Sequence, residues 1–198
     1  LRKTSLLFLF IAFFWASETI SVQAQQNRNI QYTFWGGYSF TSIKFLGKTQ
    51  NSESQILAIG FKRQIKEYSE QKTLWFTADL IPYLHYYYPK RDEGDRFVER
   101  SGFGISPIGF MMKQHTDYFF DPYIQTTGGL IYMEQNFPTD RARKLNFTFD
   151  ITVGADIPIS NFTGISLGYK FHHISNAETG DENPGLDSNF LFITFHIP

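Results

Sequence analysis

From Leu145 to Ile157 the chain alternates with a period of two. Leu145, Phe147, Phe149, Ile151, Val153, Ala155 and Ile157 share one face, and Asn146, Thr148, Asp150, Thr152, Gly154 and Asp156 share the other. Successive side chains of a pleated strand point to opposite sides, so this pattern predicts a strand with one apolar face and excludes an amphipathic helix. Weaker versions recur at Ile30–Phe40 (Ile30, Tyr32, Phe34), Gln55–Ile65 (Leu57, Ile59, Phe61) and Thr73–His85 (Leu74, Phe76, Ala78, Leu80). In Gly102–Gln114 the apolar face switches at Pro107, from Phe103 and Ile105 to Ile108, Phe110 and Met112. A bulge at the proline is the expected cause. Tyr123–Glu134, Gly164–His173 and Asp187–Ile197 complete a set of eight predicted strands, and no long helix is predicted.

Most of these strands run about 10 to 13 residues, near the 9–11 that a tilted strand needs to cross a bilayer. Short connectors (66–72, 115–120, 158–162) alternate with longer, more polar ones (41–53, 88–99, 136–144, 174–186). Short turns at one rim and long loops at the other are the layout of a bacterial outer-membrane barrel. The expected fold is therefore all-β: one eight-stranded antiparallel up-and-down transmembrane β-barrel over residues 25–198. A soluble lipocalin-type barrel produces the same alternation and stays open on periodicity alone. Lys62, Asp79, Asp150, Asp156 and Lys170 on the second face favour the membrane form, where they would pair inside a polar lumen.

Composition narrows the choice further. The 198 residues contain 22 Phe and 11 Tyr, an excess that suits the aromatic girdles of a membrane barrel. A mean hydropathy of −0.27 with 19% charged residues excludes a helical membrane protein. The formal net charge of −1 offers no basic face for nucleic acid. Without cysteine there is no disulfide framework and no thiolate metal site. Arg2-Lys3, the apolar run Leu6–Trp15 and Val22-Gln23-Ala24 have the order of an export leader, so residues 1–24 are expected to be a removed signal peptide.

Candidate chemistry gathers near the end of the chain, in His173-Ile174-Ser175-Asn176-Ala177 and Asn183-Pro184-Gly185-Leu186-Asp187. Ile165, Leu167, Tyr169 and Phe171 share the lipid-facing side of the seventh strand, and the same parity carries His173 and Ser175 outward. Asp187 shares a face with Leu191, Ile193, Phe195 and Ile197 of the eighth. Polar groups on a hydrocarbon-facing wall are costly, which points to function. An imidazole can take the proton of a serine hydroxyl, and a carboxylate on its other nitrogen fixes the tautomer. Backbone N–H groups of the 175–177 turn, with the Asn176 side chain, are candidates for oxyanion stabilisation. Taken singly, Ser175-Asn176 also reads as an ordinary turn, Asp187 as a solvated loop acid and His173 as an interfacial aromatic.

These two segments resemble the C-terminal signature of the lipid A 3-O-deacylase (PagL) family. The resemblance implies an eight-stranded outer-membrane barrel that hydrolyses the ester-linked acyl chain at position 3 of lipid A. It implies His173 as base, Ser175 as nucleophile, Asn176 at the oxyanion hole and Asp187 as the acid, where the family typically has glutamate. Glu182 is a second candidate acid. The expected partner is lipid A, or lipopolysaccharide, of the outer leaflet, met by a monomer or homodimer that needs no cofactor or metal. Rival readings are an outer-membrane phospholipase, whose barrel has more strands, and a non-catalytic barrel of adhesion or envelope integrity. Lys90, Arg91, Arg96, Arg100, Arg141, Arg143 and Lys144 give two long loops positive charge, suited either to lipid A phosphates or to plain solvation. His85, His115 and His196 have no metal-ligand spacing, and Asp181, Glu182 and Asp187 lack a calcium-loop pattern. The glycosylation pattern at Asn146 and Asn161 falls in or beside predicted strands.

Overall fold

The computed structural model describes residues 30–160 and 163–198, so the expected leader lies outside the described residues. Eight antiparallel strands close into a barrel in sequence order: β1 (Ile30–Ser39), β2 (Glu53–Ser69), β3 (Lys72–Lys90), β4 (Arg96–Gln114), β5 (Asp121–Phe137), β6 (Arg143–Pro158), β7 (Gly164–Ser175) and β8 (Leu186–Ile197). β1 pairs with β8 from Tyr32↔Ile197 to Tyr38↔Leu191, so every edge is paired. Side-chain parity follows the sequence. Phe147, Phe149, Ile151 and Val153 are exposed on the outer wall, whereas Asn146, Thr148, Asp150 and Thr152 are buried inside. An exterior this apolar around a polar interior reverses the soluble-barrel pattern, and the chain is a transmembrane barrel of the outer membrane.

The interior is largely filled, leaving a cavity of about 50 Å³ lined by residues such as Trp35, Lys62, Asp79 and Lys170. Toward the rim of short turns, Lys62 Nζ lies 3.1 Å from Asp156 Oδ2, and Lys113 and Ser166 also bond that carboxylate. Near mid-height Trp35 Nε1 donates to Asp79 at 3.1 Å, while Asp150 holds His172 Nδ1 at 2.6 Å, Thr127 at 2.5 Å and Lys170 at 3.4 Å. Among these groups three lysines face three aspartates, so the lumen carries little net charge. Toward the other rim the filling turns apolar, with Tyr86 and Tyr88 against Phe137 at centroid distances of 4.7 and 5.0 Å. Such an interior leaves no general pore.

Pro107 does mark a bulge. The β4–β5 register shifts between Ile105 and Ile108, which keeps Phe103, Ile105, Ile108 and Phe110 all on the exposed wall. Two expected long loops are shorter than their composition suggests. β3 and β4 each run 19 residues, so much of 88–99 is paired strand (Tyr88↔Val98, Pro89↔Phe97, Lys90↔Arg96), closed by a 3-10 turn at Arg91–Glu93. Likewise β5 and β6 extend to Phe137 and Arg143 and leave only 138–142 as connector. These extensions rise past the hydrocarbon layer, where apolar alternation is no longer demanded. Polar contacts hold them instead: Lys90 bonds Glu93 at 3.0 Å and Asp140 at 2.6 Å.

Candidate active site

β7 and β8 carry the three candidate groups to one patch of outer wall at the long-loop rim. The register pairs His173 directly with Asp187, and places Ser175 opposite Phe147 and His173 opposite Phe149 on β6. His173 Nδ1 lies 2.7 Å from Asp187 Oδ1. Neither His173 Nε2 nor the Ser175 hydroxyl has a hydrogen-bond partner among the described residues. Side chains two positions apart on a strand are about 6.6 Å apart at Cα. The serine–imidazole contact is thus within reach of a rotamer change but is not formed, and such contacts commonly tighten only around substrate.

Asp187 is fully buried although its parity is outward, because the β1–β2 loop (40–52) folds down over it. Backbone N–H groups of Phe45, Leu46 and Gly47 donate to Asp187 Oδ2 at 3.0, 2.7 and 2.8 Å. The two carboxylate oxygens therefore divide their roles, one held by the loop and one by the imidazole. Asp187 fits against His173 as it stands, the shorter acid being met by backbone donors. Nothing local in Phe45-Leu46-Gly47 announces this part. Its one sequence signal is the glycine: a Cβ at Gly47 would stand 2.7 Å from the Leu186 backbone.

The Asn183–Leu186 approach to β8 is shaped by Gly185, at φ +61°, a conformation that L side chains rarely adopt. A Cβ there would sit 3.1 Å from His173 Cε1, so the residue also admits the ring. Asn176, the expected oxyanion donor, is engaged within its own loop. It is buried, its Nδ2 donates to the Glu182 carbonyl at 2.6 Å and its N–H donates to Asn183 Oδ1 at 2.9 Å. Its side chain ties the 176–185 loop together, since a buried amide is held by whichever carbonyl the loop brings to it. Ala177 and Glu178 follow at φ +52° and +60°, and their N–H groups have no partner among the described residues. The Glu178 carboxylate accepts from Asn183 Nδ2 at 3.1 Å.

Glu182, the second candidate acid, sits elsewhere. Its carboxylate bonds Arg91, lies 3.4 Å from Arg141 Nη1 and accepts from Thr139 at 3.3 Å. The loop cations are largely engaged in the same way: Arg96 with Glu93, Lys90 with Glu93 and Asp140, and Arg143 Nε with the Thr179 carbonyl at 2.9 Å. Among the described residues no cluster of His, Asp and Glu has the arrangement of a metal site.

Among solved structures, the outer membrane enzyme PagL aligns at a TM-score of 0.58 with 18% identity, over 85% of this chain and 99% of that one. Neisserial surface protein A (NspA) aligns at 0.55 with 13% identity, over 86% and 97%. At these identities the likeness is one of fold. No curated protein matches the sequence. The family model for lipid A 3-O-deacylase (PagL) matches residues 19–196. With a match over nearly its whole length, this chain belongs to the lipid A 3-O-deacylase (PagL) family of outer-membrane enzymes.

Proposed function

We propose that the protein hydrolyses the 3-O-linked acyl ester of lipid A, with Ser175 as nucleophile, His173 as base and Asp187 as the acid that orients it. The observation that carries this reading is the 2.7 Å His173–Asp187 pair on the outer wall, with Ser175 two residues further along the same face. A soluble substrate has no reason to meet a site facing sideways into hydrocarbon, whereas an outer-leaflet lipid reaches it by lateral diffusion.

In this mechanism Ser175 Oγ attacks the ester carbonyl carbon as its proton passes to His173 Nε2. Asp187 keeps the proton of Nδ1 in place and stabilises the imidazolium that forms. The tetrahedral oxyanion is assigned to the N–H groups of Ala177 and Glu178, with Asn176 holding the turn that presents them. Collapse breaks the bond to the sugar oxygen, which leaves as the alcohol after taking the proton from Nε2. A water molecule, deprotonated by the same imidazole, then attacks the acyl-serine, releases the fatty acid and returns the proton to Oγ.

The test is mass spectrometry of lipid A after incubation with refolded wild-type protein and with Ser175→Ala. The proposal requires loss of one 3-O-acyl chain with the wild type and none with the variant. Fatty acid released from phospholipid but not from lipid A would replace it with the phospholipase reading. A folded barrel inert on both lipids would leave a non-catalytic role.

A further inference from the structure

The β1–β2 loop has two faces at the site, and they belong to the same residues. Inward, three consecutive N–H groups at Phe45–Gly47 converge on a single oxygen of Asp187. Outward, the Phe45 ring is 72% exposed and Leu46 is 51% exposed. The Phe45 ring crosses the top of β8 to stand edge-on against Phe171 of β7, centroids 5.6 Å apart at 83°. Phe171 is two residues before His173 on the same face, about 6.6 Å further along the strand and, at a tilt of about 40°, about 5 Å deeper in the membrane. A phenyl ring on this part of the wall lies among acyl chains.

The segment is fastened on both sides, Asn189 Nδ2 donating to the Thr41 carbonyl at 3.3 Å on the near side. Lys48 N–H donates to the Pro184 carbonyl at 2.6 Å and Thr49 N–H to the Gly185 carbonyl at 3.4 Å. Ser42 Oγ holds the loop base, donating to the Thr49 carbonyl at 3.2 Å and accepting from Ser52 N–H at 3.0 Å. Between these fastenings, Lys44 to Gly47 is kept down by the Asp187 carboxylate, the contact of Gly47 with Leu186, and the Phe45–Phe171 contact.

We propose that Phe45–Gly47 is a positioning clasp for the acid, seated by the membrane: immersion of the Phe45 ring in the lipid-facing wall keeps the three N–H donors on Asp187 and so aims His173 at Ser175. The proposal rests on the function assigned above and goes further by making acid geometry depend on the lipid around the barrel. None of the three residues touches the reacting atoms. They act through Asp187, and a misplacement of about 1 Å in such a supporting element costs up to about 10²-fold in turnover.

The experiment compares wild type, Gly47→Ala, Phe45→Ser and Phe45→Leu, each refolded into phospholipid vesicles containing lipid A, with folding checked by heat-modifiable gel mobility. Deacylation gives kcat and KM. In parallel, ¹⁵N-histidine NMR follows the His173 Nδ1–H resonance, assigned against His173→Gln. The clasp requires kcat to fall about 10- to 100-fold in Gly47→Ala with KM within about twofold, and the Nδ1–H resonance to shift or broaden. Phe45→Ser should lower kcat about 10-fold, with Phe45→Leu restoring it to within about threefold of wild type. A Gly47→Ala protein with wild-type kcat and an unchanged resonance overturns the clasp. Wild-type kcat in Phe45→Ser, or a change in KM alone, overturns its seating by the membrane. If the wild type releases no acyl chain, the functional reading fails by itself and the resonance in the folded Gly47→Ala and Phe45 variants decides the clasp. A Gly47→Ala chain that does not fold leaves the decision to the two Phe45 variants.

Discussion

Replacing Asp187 by asparagine separates the chemistry of the site from its architecture. The carboxylate is fully buried and takes part in four hydrogen bonds, three from the backbone N–H groups at 45–47 on Oδ2 and one with His173 on Oδ1. An amide of the same shape keeps the three backbone bonds by turning its oxygen toward them, which presents its NH₂ to His173 Nδ1. The imidazole then places its proton on Nε2, the atom that should accept from Ser175. In serine hydrolases this exchange lowers turnover by about 10⁴, and at 1.36 kcal/mol per tenfold a loss of 10³–10⁴ is about 4–5.5 kcal/mol of transition-state stabilisation. Stability should barely change, because no buried donor loses its acceptor. Asp187→Ala removes that acceptor altogether and leaves the buried Gly47 N–H unpaired at about 1–3 kcal/mol, while the N–H groups of the exposed residues Phe45 and Leu46 lose their acceptor at a smaller cost. The assay pairs deacylation kinetics on lipid A in vesicles with urea unfolding of the same samples. The reasoning is refuted if Asp187→Asn keeps more than a tenth of wild-type turnover, or if it unfolds as readily as Asp187→Ala.

Other substitutions test the surrounding frame. Asp156→Asn takes the counter-charge from buried Lys62 and Lys113, and should destabilise the barrel by about 3–5 kcal/mol in urea titrations. Ile151→Arg puts a charge on the exposed wall midway along β6, and should cost about 2–4 kcal/mol in vesicles of ordinary thickness. Glu182→Gln breaks exposed pairs with Arg91 and Arg141 worth at most about 1 kcal/mol each. Its deacylation rate should stay within about twofold of wild type, and a loss comparable to that of Asp187→Asn would return Glu182 to candidacy as the acid.

Much of this protein is written in period and parity. A strand buries or exposes every second residue, so the run from Leu145 to Ile157 already determines which side chains meet lipid and which meet the lumen. The same count carries His173, Ser175 and Asp187 to one outer wall, because the β7–β8 hairpin has continuous register from Gly164↔His196 to Ile174↔Leu186. Even the bulge at Pro107 is legible, since a proline coincides with a reversal of the apolar face. Loop composition was a poorer guide. Past the membrane, the β3–β4 extension is tied to the β5–β6 connector by contacts such as Lys90 with Asp140, 50 residues apart in sequence, which leave no local period.

The least local features were those only the tertiary structure decided. Asp187 is buried by backbone donors about 140 residues earlier in the chain, and backbone N–H groups carry no side-chain signature. Asn176 is expected at the oxyanion from its neighbour Ser175, and only loop closure brings its Nδ2 to the Glu182 carbonyl. Glu182 and Asp187 are equally acidic in sequence. Register sets Asp187 opposite His173, and the fold of the long-loop rim sets Glu182 among arginines. Periodicity therefore assigns faces, because it is a property of each strand alone, while partners are assigned by which distant strands and loops the closed barrel brings together.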